Sequence, residues 1–202
     1  MLEFKELTLS DRECVKEQLR RYPPQVSELT FTNLWTWRRM HEPWWARVAG
    51  TMVFAAKGGD EGLSLLGPPV GPADAPDLLD TLSDAGVVNG ERLDEDAAKE
   101  LRATGIPVEK DRDNSDYVYL VEELATLEGR KFHSKKNMVN RCESSYRCEY
   151  ERIGPENIEE VRDMQERWGD RRNCEENRML CAEHQAIMDA LDHYEDFGLL
   201  GG

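Results

Sequence analysis

The sequence predicts an α+β fold, a mixed sheet flanked by helices, followed by a partial second unit of the same kind. Three observations carry this. Short apolar segments with strand-like alternation are interleaved with capped segments of helical period. The order strand, cap, helix, helix occurs at residues 4–40 and again at 146–197. The first occurrence runs on into a hairpin and a third strand, whereas the second reaches Leu199-Leu200-Gly201-Gly202 where a hairpin should begin. A sheet half cannot close on one strand, because its hydrogen-bonding edge and apolar face stay open. Two expectations follow: a chain cut short in its second unit, or last helices that pack as an appendage on the first. The division expected is 1–127 for the first domain and 128–202 for a basic linker helix plus the start of an incomplete second.

The elements follow in order. Residues 3–9 form a short edge strand, with Phe4, Leu7 and Leu9. Ser10-Asp11-Arg12-Glu13 has capping-box form and opens a helix with Val15 and Leu19 inward, stopped before Pro23-Pro24. Residues 27–40 form a second helix rich in Leu29, Phe31, Leu34, Trp35 and Trp37. Residues 44–56 alternate around Gly50 as a hairpin, and 62–70 make a third strand ending in the rigid Pro68-Pro69-Val70-Gly71 turn. A helix over 74–85 turns Leu78, Leu79 and Leu82 inward and closes at Gly86. Residues 91–105 form a charged helix, Tyr117-Val118-Tyr119-Leu120-Val121 a buried strand, and 124–127 a helical turn stopped by Gly129. Residues 146–153 form another strand. Gly154-Pro155-Glu156 then starts a helix with Ile158, Val161, Met164 and Trp168 inward. The last helix carries the stripe Leu180, His184, Ile187, Met188, Leu191 and Tyr194.

With 41 acidic and 26 basic residues among 202, the chain carries a net charge of −15. Such a surface does not bind nucleic acid or anionic lipid as a whole, so any such contact must be local. No run reaches the ~18 apolar residues of a spanning helix, and the N-terminus lacks the basic-then-apolar order of a signal peptide. A cytoplasmic protein without integral membrane contact is expected. The cysteines at 14, 142, 148, 174 and 181 are odd in number and irregular in spacing, which fits reduced thiols. Cys142, Cys148, Cys174, Cys181 and His184 offer sulfur and imidazole ligands, but no tight Cys-x-x-Cys knuckle is present, so no metal site is expected.

One stretch breaks the local rules. Residues 130–147 hold six basic side chains and one acid, Glu143, which leaves the remainder with 20 basic and 40 acidic residues. With Ser134 as N-cap, the helix after it buries Met138, Val139, Cys142 and Tyr146. Lys135 and Lys136 then occupy its first turn, where the helix dipole disfavours cations by about 0.3–1 kcal/mol each. A phosphate bound there resolves the conflict, because free backbone N–H groups and two ammonium groups would face one anion. Arg130 and His133 lie just upstream and Arg141 further along. The competing reading is a solvated basic helix paired with surface acids.

Leu127-Glu128-Gly129-Arg130-Lys131-Phe132-His133-Ser134-Lys135-Lys136-Asn137-Met138-Val139-Asn140-Arg141 resembles the signature of the phosphatidylglycerol lysyltransferase C-terminal-domain family. Tyr22-Pro23-Pro24, the stretch 27–35 with Trp37-Arg38, and the Pro68-Pro69-Val70-Gly71 turn agree with it. The resemblance implies tandem acetyltransferase-like (GNAT-like) folds, and an acyltransferase related to enzymes that move an amino acid from aminoacyl-tRNA to a lipid head group. By analogy Arg130, Lys131, His133, Lys135, Lys136, Asn137 and Arg141 would touch phosphate of a donor, either aminoacyl-tRNA or acyl-CoA. The alternative is a non-catalytic binding or scaffolding module of the same fold, with self-association through the incomplete second unit. The family domain continues with further strands and a substrate-facing cleft. The pyrophosphate loop of typical acetyltransferases is also missing: the nearest string, Arg102-Ala103-Thr104-Gly105-Ile106-Pro107, places Pro, which has no N–H, where a small residue is needed. No catalytic residue is assigned. Glu183 and His184 are of proton-transferring types, but adjacent helix positions point about 100° apart, so His184 is expected in the core. The tryptophans clustered at 35–45 read as packing.

Overall fold

A computed structural model describes residues 2–57, 62–72, 75–172 and 176–202. The sheet contains β1 (Lys5–Glu6), β2 (Trp44–Val48), β3 (Thr51–Lys57), β4 (Leu63–Leu65) and β5 (Val87–Gly90), in that spatial order. Neighbours are antiparallel except β4 and β5, which are parallel, so the sheet is mixed. The parallel step is made possible by α4 (Ala75–Asp84), which carries the chain back across one face. β5 is a strand that the sequence reading did not anticipate.

β3 shows how the layers are built. Successive side chains of a strand point to opposite faces. Met52, Phe54 and Ala56 enter one cluster with Val15, Leu29, Phe31, Leu34 and Trp35, while Val53 and Ala55 enter another with Leu78 and Leu82 of α4. Every β3 residue except Lys57 is buried, as a central strand covered by helices on both sides requires. The β2–β3 turn places Ala49 (φ 46°) and Gly50 (φ 82°) in the left-handed region, the geometry of a two-residue hairpin.

The covering helices are α1 (Arg12–Arg21), α2 (Phe31–Thr36) and α3 (Arg38–His41). The expected single helix over 27–40 is thus two short ones, the first capped by the Thr30 hydroxyl accepting from the Asn33 amide at 3.0 Å. The capping box lies two residues earlier than expected. The Asp11 carboxylate accepts from the Thr8 amide and hydroxyl, each at 3.0 Å, within a 3-10 turn over Leu9–Asp11 that leads into α1. Gln18 of α1 donates its amide to the carbonyls of Gly50 and Val70, both at 2.8 Å, tying the helix to the hairpin turn and to the end of the Pro68–Gly71 turn.

The chain continues through α5 (Glu95–Ala103), capped by Asp94, α6 (Val121–Thr126) and α7 (His133–Ser145). It ends with α8 (Ile158–Arg171), α9 (Arg178–Asp192) and α10 (Tyr194–Phe197). The last helices pack on the first part of the chain. α8 lies against α9, α9 against α2, and Phe197 is buried among Phe31 and Trp35 with edge-on ring contacts at 5.8 and 5.4 Å.

Three sequence expectations are corrected. Tyr117 to Val121 is not a buried strand: it pairs with no strand among the described residues, and Tyr117 and Val118 are 76% and 91% exposed. Apolar alternation states that a segment wants a partner ladder and a covering layer, and nothing here supplies either. Residues 146–153 likewise form no strand, and the one backbone bond they make to the end of the chain runs from the Ile153 amide to the Gly201 carbonyl at 2.9 Å. The apolar side of α7 is also uncovered, with Met138 71% exposed and Val139, Cys142 and Tyr146 exposed beside it.

Candidate anion site at the start of a basic helix

Leu127 (φ 49°) and Gly129 (φ 92°) both lie in the left-handed region, and together they reverse the chain after α6. A 3-10 turn over Arg130–Phe132 then runs straight into α7, so the helical segment starts ahead of Ser134, and Ser134 is an interior residue of its first turn rather than its N-cap. No side chain caps this terminus. Within this start the Phe132 and His133 amides already donate to the backbone carbonyls of Gly129 and Arg130, so the anion-attracting feature is the end of the helix dipole rather than a full set of free amides.

Phe132 is the anchor. It is buried and its ring lies 6.5 Å from that of Tyr119. Lys131 lies over the Phe132 ring at 5.0 Å and pairs with Glu123 at 2.6 Å, which fixes it beside α6 rather than at the helix start. Arg130, His133, Lys135, Lys136, Asn137 and Arg141 are all exposed, and among the described residues none of them makes a side-chain ion pair or hydrogen bond. Within 130–147 the solvated-and-paired reading finds its acids at Lys131 and at Arg147, which pairs with Glu149 at 2.6 Å beyond the end of α7.

Helical geometry divides the remaining residues. At about 100° per residue, His133, Lys136, Asn137 and Arg141 fall on one side of α7, while Lys135 falls with Met138, Val139 and Cys142 on the other. Lys135 and Lys136 flank the terminus from two sides instead of forming one row. Two adjoining grooves, of about 510 and 610 Å³, lie elsewhere, around residues 27–33. Lys16, Arg20, Thr30 and Thr32 line the first, and Glu28, Asn33, Thr36 and Leu199 line the second.

One functional-looking cluster escaped the sequence reading. Asp189 of α9 is buried, and its carboxylate accepts from Arg38 at 2.8 and 3.4 Å and from Arg39 at 2.8 Å. The Arg38 guanidinium also stacks on Trp35 at 3.6 Å, and His193 meets the same indole edge-on at 4.8 Å. A buried acid beside an apolar helical stripe was the available signal, since such a charge requires a partner. The cluster joins α2 and α3 to α9. His184 is half-buried between α8 and α9: its Nδ1 lies 3.3 Å from the Gln165 amide and its ring lies against Gly169, while Glu183 is exposed. Trp35 and Trp45 are buried in the first core cluster, as packing residues.

Cys14, Cys142, Cys148 and Cys181 are free, and Cys174 lies outside the described residues. Among the described residues no group of three or more His, Cys, Asp or Glu side chains is placed to hold a metal, and no helix is long and apolar enough to cross a membrane.

The family profile described as phosphatidylglycerol lysyltransferase, C-terminal, matches residues 19–202. The chain belongs to this family. For this phosphatidylglycerol lysyltransferase C-terminal family member, comparison with curated proteins returns no match. Among solved structures it is similar to a conserved protein of unknown function from Bacteroides thetaiotaomicron, with a TM-score of 0.84 and 29% identity over 99% of this chain and 70% of that one. The match from residue 19 takes in α2, the Pro68–Gly71 turn and the whole basic segment of the family member, but omits β1 and the start of α1.

Proposed function

We propose that this family member is an acyltransferase-like protein of the cytoplasm that holds a phosphate-bearing donor at the start of α7, through Arg130, Lys135, Lys136 and Arg141 with His133 and Asn137 beside them. Lys131, committed to Glu123, sets the position of the turn. The observation that carries the reading is a helix terminus without a capping side chain, surrounded by cations that have no acid partner among the described residues. Such a terminus attracts anions through the positive end of its dipole, and the surrounding cations add to it. The sheet of five strands with helices on both faces is compatible with a GNAT-like first unit spanning 1–127, and 128–202 begins the second.

Of the two donors, aminoacyl-tRNA fits better than acyl-CoA. Several phosphates along one strand suit cations spread over two sides of a helix. The string 102–107, where a pyrophosphate loop would be needed, is nearly all exposed and lies at the end of α5. The test is a titration with unacylated tRNA and, separately, with inorganic phosphate. Lys135→Glu with Lys136→Glu should abolish saturable binding, and Lys99→Glu, in the exposed pair with Asp96 on α5, should leave it unchanged. Equal loss in both variants would overturn the site.

A second reading rests on its own observation. Tyr117 to Val121 and the apolar side of α7 are both uncovered, and uncovered apolar surface of this kind marks a docking face. In that reading the protein is a non-catalytic module that self-associates through this face. Light scattering distinguishes the two: concentration-dependent dimerisation lost on Val118→Lys supports docking, and a monomer at all concentrations excludes it.

A further inference from the structure

α7 ends in a pair of thiols that the anion-site reading does not use. Cys142 lies in its last turn, Tyr146 is the C-cap, and Cys148 follows in the extended segment beyond. The two Sγ atoms are 3.3 Å apart and both cysteines are exposed. A disulfide needs an S–S distance of about 2.05 Å, so closing it requires the sulfurs to approach by about 1.2 Å. The intervening loop is short, and the small motion falls on a segment that makes few contacts: Glu149 holds Arg147 locally, and Tyr150 is exposed.

We propose that Cys142 and Cys148 form an oxidisable dithiol, a modification site that reacts with small-molecule disulfides and closes into an intramolecular bridge. One thiolate attacks a sulfur of the small disulfide, whose S–S bond breaks and releases one thiol. The protein is left as a mixed disulfide. The other cysteine, already in contact, attacks the protein sulfur of that mixed disulfide and expels the second small thiol. The two cysteines lose two protons and two electrons, and the small disulfide takes up both to become two thiols. The second step is intramolecular, with an effective concentration of roughly mM or higher for a short connecting loop. The hydrogen bond with Cys142, then desolvation and the neighbouring charges of Cys142 and Glu143, hold the Cys148 thiol above its ordinary value. Closure pins the segment after Tyr146 to the last turn of α7, the helix whose other end carries the basic residues.

The experiment is oxidation of the full chain with glutathione disulfide, acid quenching, alkylation and tryptic mapping. Cleavage after Arg141, Arg147 and Arg152 places the two cysteines in separate peptides, 142–147 and 148–152. The expected result is one disulfide joining these peptides, reversed by dithiothreitol, at a level at least about ten-fold above the mixed disulfide at exposed Cys14. Cys148→Ser should trap Cys142 as a mixed disulfide, and Cys142→Ser should trap Cys148. Mixed disulfides on both cysteines of the unsubstituted chain with no link between the peptides, or links from either to Cys14 or Cys181, would overturn the proposal.

Discussion

The Asp189 carboxylate lies 2.8 Å from a guanidinium nitrogen of Arg38, a pair that spans 151 positions of the sequence and joins α9, the last long helix, to α3. The acid is 8% exposed and the arginine 26%, so the pair is mostly withdrawn from water. Removing one member of such a pair leaves the other uncompensated. Asp189→Ala should therefore cost about 2–3 kcal/mol, measured by urea unfolding. A loss below about 0.5 kcal/mol would place the pair among ordinary surface contacts.

Gly71 closes the Pro68–Gly71 turn against β3. A Cβ at this position would lie 2.4 Å from the Thr51 Cα, a backbone atom that cannot yield cheaply. Val70 exchanges backbone bonds with Met52 at 2.8 and 2.9 Å, so any displacement breaks this bridge. Gly71→Ala should lower stability by about 1–3 kcal/mol, read as a fall in Tm. An unchanged Tm would show that the turn relaxes freely.

The opposite sign is expected at Ala49. Its φ of 46° is unfavourable for a side chain with a Cβ, and Ala-Gly stands where Asn-Gly is preferred. Ala49→Asn should raise stability by about 0.5–1 kcal/mol, visible as a higher denaturant midpoint at constant m-value.

Asp11 supplies a pH dependence. Burial works to raise its pKa, but the Lys5 ammonium at 2.7 Å and the Thr8 amide and hydroxyl outweigh it and hold the carboxyl below its ordinary value of 3.8. A carboxyl lowered by folding adds stability that is fully present above its unfolded pKa and is lost as pH falls through the folded one. The stability difference between the native chain and Asp11→Asn should be constant near neutrality and shrink below about pH 4. A difference that stays constant down to pH 2 would contradict this.

How much of this was legible depended on whether a residue's partner was local. The β2–β3 hairpin could be read because alternation and Gly50 sit together, and α4 because its leucines and Gly86 do. β5 could not, since Val87–Gly90 is four residues long and becomes a strand only by lying parallel to β4. Tyr117 to Val121 has the pattern of a strand, yet pattern does not create a neighbour. The basic run was plain in the sequence, but its division around α7, and the capture of Lys131 by Glu123, required the helix to be placed. Asp189 was the least legible, because its meaning resides in Arg38 and Arg39, far away along the chain.

The salt dependence of tRNA affinity probes the phosphate reading most directly. If Arg130, Lys135, Lys136 and Arg141 each neutralise one phosphate, log K should fall with log salt with a slope of about −3. Each single substitution to Ala should make that slope shallower by about 0.7–0.9. A slope near zero, or one left unchanged when Lys135 and Lys136 are both removed, would mean that the start of α7 holds no polyanion.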